Sequence, residues 1–98
     1  MTIQIKKHSK ETIISVVGRL DTVTAPAIEK AITENICDIQ NLVLDFKKLE
    51  YISSAGLRVL LGTQKRIKND GSMKLINVGE DVLEIFEMTG FADILTIE

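Results

Sequence analysis

The sequence is poor in aromatic residues and in cysteine. Its 98 residues include no tryptophan, one tyrosine, three phenylalanines and a single cysteine, so the core must be built mainly from aliphatic side chains. One thiol cannot form an intrachain disulfide. Cys37 has no histidine or second cysteine near it in the sequence, so we predict a small buried or half-buried apolar residue there. The length is that of one domain, spanning residues 1–98.

The sequence also lacks a charge excess of either sign and long apolar runs. Twelve basic and 14 acidic residues give a net charge of −2, whereas a nucleic-acid-binding surface needs a basic excess on one face. No apolar run approaches the roughly 20 residues of a membrane span. The opening segment MTIQIKKHSKE has no apolar core of a signal peptide. We therefore predict a cytoplasmic protein with no membrane insertion and no direct binding of nucleic acid.

Residues for catalysis are equally scarce. The only histidine, His8, lies on a short N-terminal segment, and no G-x-S-x-G motif accompanies the serines. A glycine-rich phosphate loop followed by lysine is absent as well. We expect no enzyme activity: no catalytic residue, no metal and no cofactor.

Apolar periodicity predicts an α/β domain. Strands are predicted at residues 3–7, 12–20, 41–47 and 73–78, with a connection at 48–53. Helices are predicted after Pro26 (through Ile28, Ile32 and Ile36), over 57–67 with a stop signal at 69–71, and over 82–88 before Gly90. The segment 94–97 fits a helical turn or an edge strand. The order β-β-α-β-α-β-α gives a mixed sheet with helices packed on it.

Two polar loops are predicted to meet at one edge of this sheet. Strand–helix–strand units make the strands at 12–20 and 41–47 parallel, so their carboxyl ends share an edge. The loop at Asp21 and the loop at Ser53 and Ser54 both leave from that edge, where sites usually form in α/β sheets.

The serines stand at the start of an amphipathic helix. A serine in this position caps free backbone N–H groups, which the residues alone favour, but those groups also stabilise a phosphate. Gly56, in the first turn, lets neighbouring backbone come close.

Four segments in order resemble the motifs of the STAS domain family. They are VVGRLDTVTAPAIEKAI, VLDFKKLEYI, YISSAGLRVLL and FEMTGFADILTI, and together they cover nearly the whole chain. The resemblance implies a STAS-like mixed sheet of about four to five strands. Many free-standing family members are bacterial anti-sigma factor antagonists, also called anti-anti-sigma factors. They are phosphoproteins of signal transduction and transcription regulation.

The resemblance also implies a switch residue and partners. A kinase-type anti-sigma factor is bound by the unphosphorylated protein and phosphorylates it, and a PP2C-type phosphatase removes the phosphate. The family's phosphorylated serine falls on Ser54, with Ser53 as the second choice, because Ser53 replaces the acidic residue of the family's pattern. The residues expected to form the partner-binding surface are Asp21, Thr22, Ser53, Ser54, Ala55, Gly56, Leu57 and Arg58.

Each of the two charged residues on this surface has a simpler interpretation. Asp21 also fits an Asx turn that starts its loop. Arg58 is expected to point outward, toward a partner or only toward solvent. Two further functions fit the same resemblance: an accessory subunit of a membrane lipid-transport ABC system, and a docking partner of another regulatory kinase.

Overall fold

The computed structural model describes residues 2–8, 11–35, 41–67 and 71–98. Within them the chain forms five strands, three α-helices and a short 3₁₀ helix at Phe91–Asp93. The strands are β1 (Thr2–Lys7), β2 (Glu11–Leu20), β3 (Asn41–Asp45), β4 (Leu49–Ile52) and β5 (Ser72–Ile76). The helices are α1 (Ala25–Asn35), α2 (Ser54–Ile67) and α3 (Glu80–Thr89).

The sheet is mixed, as the sequence predicted. Strand β1 runs antiparallel to β2, whereas β2, β3 and β5 are mutually parallel neighbours in the order β1-β2-β3-β5. Strand β2 is long enough to serve two partners. Its first half pairs with β3, and its last residues, Gly18 to Leu20, pair in parallel with β4, with a shift of register between Gly18 and Arg19.

The core is mainly aliphatic, with side chains contributed by both the sheet and the helices packed on it. Alternate residues of β2 such as Ile14 and Val16 point into it because side chains of a strand alternate between faces. The helices contribute residues at helical spacing, and two phenylalanines, Phe46 and Phe86, are fully buried. The main buried residues of the helices are Ile28, Ile32, Leu57, Leu60, Ile67, Val82 and Phe86.

One predicted connection is a strand. Residues 48–53 were expected to form a loop, but Leu49–Ile52 forms β4. Only its two end residues are buried, while Glu50 and Tyr51 between them are exposed, so the segment lacks the apolar alternation that indicates a strand. Its conformation comes from pairing with β2, a long-range contact that the local sequence does not encode.

The end of α3 and the tail follow the sequence signals, whereas β3 ends at Asp45 and β5 at Ile76, each two residues before its predicted end. Helix α3 ends at Gly90, whose φ of 83° is the left-handed conformation predicted for a glycine stop. After the 3₁₀ helix, Ile97 forms a bridge with Leu75 on the free edge of β5, so the tail contains both a helical turn and an edge pairing. Ile36, Cys37 and most of the stop signal at 69–71 lie outside the described residues.

Candidate functional site

The two polar loops meet, as predicted, although the Ser53 loop leaves from β4 rather than directly from β3. The backbone N–H of Ser53, just after β4, donates to the carbonyl oxygen of Leu20 at the end of β2, at 2.9 Å. The carbonyl oxygen of Ser53 in turn accepts the N–H of Leu57 at 3.0 Å, so Ser53 directly precedes α2 and accepts a hydrogen bond from its first turn. The Asp21 loop and the start of α2 therefore form one surface.

The Asp21 loop is fixed by its own side chains. Asp21 Oδ1 accepts the backbone N–H groups of Val23 and Thr24 at 3.0 and 3.1 Å, which is the predicted Asx turn. Thr24 Oγ1 accepts the N–H of Asp21 at 2.8 Å and donates to the carbonyl oxygen of Arg19 at 2.7 Å. The N–H of Thr24, assisted by that of Val23, by the Thr24 hydroxyl and by the Arg19 guanidinium, holds the pKa of Asp21 below its usual 3.8. The loop thus presents a carboxylate in a fixed conformation.

The two serines differ in access. Ser54 is the first residue of α2 and is exposed. Ser53 is half-buried, and its Oγ is enclosed without a hydrogen-bond partner in the described part of the chain. The capping role that the sequence favoured is therefore not fulfilled by the Ser53 hydroxyl. Only Ser54 presents its side chain to solvent.

Gly56 allows α2 to begin close to the ends of two strands. A Cβ atom at this residue would lie 2.7 Å from Ile52 Cγ1, 2.8 Å from Leu20 Cγ and 3.1 Å from the carbonyl oxygen of Leu20. Ordinary Cβ atoms do not approach other atoms this closely, so the expected role of Gly56 in close backbone approach is confirmed. Gly56 and Leu57 are both buried beneath the surface.

The other residues predicted for the partner surface lie around the two serines. Thr22 and Arg58 are exposed, and Ala55 is half-buried. Thr22, Ala55 and Arg58 also line a solvent-open groove of about 420 Å³ between α1 and α2, which continues along Glu29 to Arg66. Arg58 points outward, as predicted.

Three features of the site were missed from the sequence. Val23, at the tip of the Asp21 loop, is 86% exposed, although it is a β-branched apolar residue. Arg19 lies over the ring of Tyr51 at 4.5 Å, with its Nε 3.8 Å from Asp21 Oδ2. Thr24 holds the loop together. The sequence did contain signals for two of these features: Val23 stands between two threonines, and the hydroxyl of Thr24 comes three residues after Asp21.

The described segments contain neither a candidate metal-binding cluster nor a helix suited to span a membrane. No group of three or more histidine, cysteine or acidic side chains there is placed to hold a metal ion. No helix among these residues is both long enough and apolar enough to cross a membrane.

The family model described as the STAS domain matches residues 2–98, so the chain belongs to the STAS domain family. Its relatives include the anti-sigma-B factor antagonist of Bacillus subtilis (strain 168), at 29% identity over 99% of this chain and 90% of that protein. The anti-sigma-F factor antagonist RsfB of Mycobacterium tuberculosis is 34% identical over 68% of this chain and 56% of its own length.

A solved structure shows the same architecture. The crystal structure of an anti-sigma factor antagonist from Mycobacterium paratuberculosis superposes with a TM-score of 0.89 at 28% identity, covering 98% of this chain and 83% of that one. These relatives are named for antagonising a regulatory protein, and they are binding proteins rather than enzymes. This agrees with the expectation of a non-enzymatic chain.

Proposed function

We propose that the chain is an anti-sigma factor antagonist controlled by phosphorylation. Residues 1–98 act as a single cytoplasmic domain that binds a kinase-type anti-sigma factor while Ser54 is unphosphorylated. The anti-sigma factor phosphorylates Ser54, and a PP2C-type phosphatase reverses the modification. The proposal is supported by the family membership and by one contrast in the structure: Ser54 is exposed at the junction of two loops, while the Ser53 hydroxyl is enclosed.

The partner surface consists of an exposed layer and a supporting layer. Thr22, Ser54 and Arg58 contact the partner, with Ala55 and Ser53 at their edges. The ionised Asp21 keeps the first loop in shape. Beneath them, the buried Gly56 and Leu57 support this surface by setting how closely α2 approaches β2 and β4.

The physical basis of the switch is a change in desolvation. A phosphoserine carries a charge of about −1.5 to −2 at neutral pH. The free N–H groups at the start of α2 stabilise this charge within the folded domain, so the fold survives. A partner that packs on Ser54 must instead desolvate a dianion beside the carboxylate of Asp21. A loss of about 3–4 kcal/mol would weaken binding several hundred-fold.

The direct test is a phosphorylation assay with ATP and a candidate anti-sigma kinase, followed by peptide mass spectrometry. We expect one phosphate on Ser54 in the wild type and in Ser53→Ala, and none in Ser54→Ala. Circular dichroism of each variant controls for folding. Phosphate on Ser53 would mean that the phosphorylated residue is Ser53 and not Ser54, with the proposed function otherwise unchanged.

The same assay separates this function from its alternatives. If a kinase that is active on another substrate adds no phosphate, switched antagonism is wrong and a constitutive docking subunit, such as the accessory subunit of a lipid-transport ABC system, replaces it. If Ser54 is phosphorylated but the kinase holds no sigma factor, the output belongs to another regulatory pathway.

A further inference from the structure

Ser54 and Arg58 lie on the same face of α2. They are four residues apart, both are exposed, and residues at this spacing on a helix have Cβ atoms about 5–6 Å apart. A side chain at the first residue and a long cation one turn later can therefore meet without any change in the backbone.

Arg58 is available for such a contact. The other arginines described near the site are engaged: Arg19 lies against Tyr51 and Asp21, and Arg66 donates to Thr33 Oγ1 at 3.2 Å. No ion pair or hydrogen bond joins the Arg58 side chain to another residue in the described segments.

Two other charged residues line the same groove as Arg58: Glu29 of α1 and Arg66 of α2 itself. Asp21 lies in the adjoining loop, whose Thr22 also lines the groove. The Asp21 carboxylate already accepts the two N–H groups of its own turn, so its position is fixed by that loop. A phosphate on Ser54 would be on the helix of Arg58 itself and carry a larger charge than either carboxylate.

We propose that Arg58 is the intramolecular counter-ion of a phosphate on Ser54, an inference that rests on the proposed phosphorylation. A guanidinium presents paired N–H donors that match two phosphate oxygens, which a lysine ammonium cannot do. An anion placed N-terminal to a cation at this spacing is also the more favourable order on a helix. Phosphorylation then has two effects on the partner surface. It adds a dianion, and it pairs that dianion with the arginine that the unmodified protein presents to solvent.

The test uses phosphoserine installed at residue 54 during translation, so that no kinase is needed. Phosphorus-31 NMR follows the second ionisation of the phosphate in the parent phosphoprotein and in Arg58→Gln, Arg58→Lys and Arg66→Gln forms. We expect the pKa of the phosphate to be higher by about half a unit in Arg58→Gln than in the parent, with an intermediate value in Arg58→Lys.

Arg66→Gln is the matched control, because it removes the same charge about 12 Å further along the helix. It should leave the phosphate pKa nearly unchanged. An unchanged value in Arg58→Gln would overturn the proposal, and so would an equal rise in both variants, which would indicate only the general field of the helix. Thermal melts of all four proteins confirm that each is folded.

The result is independent of the kinase assay. If Ser54 is never phosphorylated by an active anti-sigma kinase, the proposed function fails even when the installed phosphate contacts Arg58. If the kinase modifies Ser54 but the titration shows no dependence on Arg58, the switch stands and the counter-ion is wrong.

Discussion

The amide nitrogen of Ser53 lies 2.9 Å from the carbonyl oxygen of Leu20. This hydrogen bond extends the pairing of β2 with β4 by one step and joins the two loops of the candidate site. Because α2 begins at the next residue, the position of Ser54 depends on how closely α2 approaches Leu20.

Gly56→Ala should disturb this approach. The added methyl group would meet Ile52 and Leu20 at less than 3 Å, and their side chains are fully buried, so α2 must shift. We expect a loss of about 1–3 kcal/mol in the free energy of unfolding, measured by urea denaturation. Gly62→Ala, on the same helix with no atom within 4 Å of the new Cβ, is the control and should gain up to about 1 kcal/mol. Equal effects of the two substitutions would contradict the close approach.

Thr24→Val should loosen the first loop. The substitution keeps the shape of the side chain but removes the hydroxyl that joins the N–H of Asp21 to the carbonyl oxygen of Arg19. We expect a loss of about 1–2 kcal/mol in urea denaturation, because both backbone groups lose a partner. Thr22→Val, at an exposed neighbour, should stay within about 0.5 kcal/mol of wild type. A neutral Thr24→Val would show that the loop is held by Asp21 alone.

The ionised Asp21 should contribute to stability in a defined pH range. Folding lowers the pKa of Asp21 below 3.8, so the carboxylate stabilises the folded state above that pH. The contribution is lost as the pH falls through the lower folded-state pKa. Asp21→Asn should therefore be less stable than wild type near neutral pH, and the difference should shrink in more acidic solution. Urea midpoints of both proteins between about pH 2.5 and 7 measure it, and parallel curves would disprove it.

Ser53→Ala should stabilise the protein. The enclosed Oγ of Ser53 has no partner in the described chain, so it is desolvated without compensation. Removing it should raise the free energy of unfolding by about 1 kcal/mol. Ser54→Ala, at the exposed neighbour, should lie within about 0.5 kcal/mol of wild type. A marked destabilisation by Ser53→Ala would mean that its hydroxyl caps α2 in solution.

Val23 should contribute to partner binding. It is 86% exposed on the Asp21 loop, which adjoins the serine loop, whereas Met88, which is 79% exposed, lies on α3. Under the proposed function, Val23→Ser should weaken binding of the anti-sigma factor about tenfold, the effect of losing one buried valine side chain. Met88→Ser should bind normally. Calorimetric titration compares them, and equal affinities of Val23→Ser and wild type would remove the Asp21 loop tip from the interface.

The general form of the site could be predicted from the sequence because it depends on topology. Two strand–helix–strand units make the long strands parallel, as predicted, and the Asp21 loop leaves from their common edge. The Ser53 loop reaches that edge through β4, which the sequence did not predict as a strand. The motifs then predicted Ser54 as the switch residue; the exposure of its side chain supports this prediction, and the kinase assay tests it.

The details depend on contacts that no local pattern contains. Strand β4 exists because Gly18 to Leu20 are free to pair with it after β2 leaves β3. The enclosure of Ser53 and the exposure of Val23 follow from the geometry of two turns. Ser53 is held by its backbone hydrogen bond to Leu20 of β2, and the turn at Val23 is held by the side chains of Asp21 and Thr24. Residue type alone predicts the reverse for a serine and a valine.

The hydrogen bond between Ser53 and Leu20 joins segments that are distant in sequence, and under the proposed function this affects which molecules a kinase can modify. In an unfolded or nascent chain the Asp21 loop does not lie beside the serine, because the two meet only after β4 has paired with β2. A kinase that recognises both would ignore such chains. Phosphate on Ser54 would then be found only on molecules in which β4 had paired with β2.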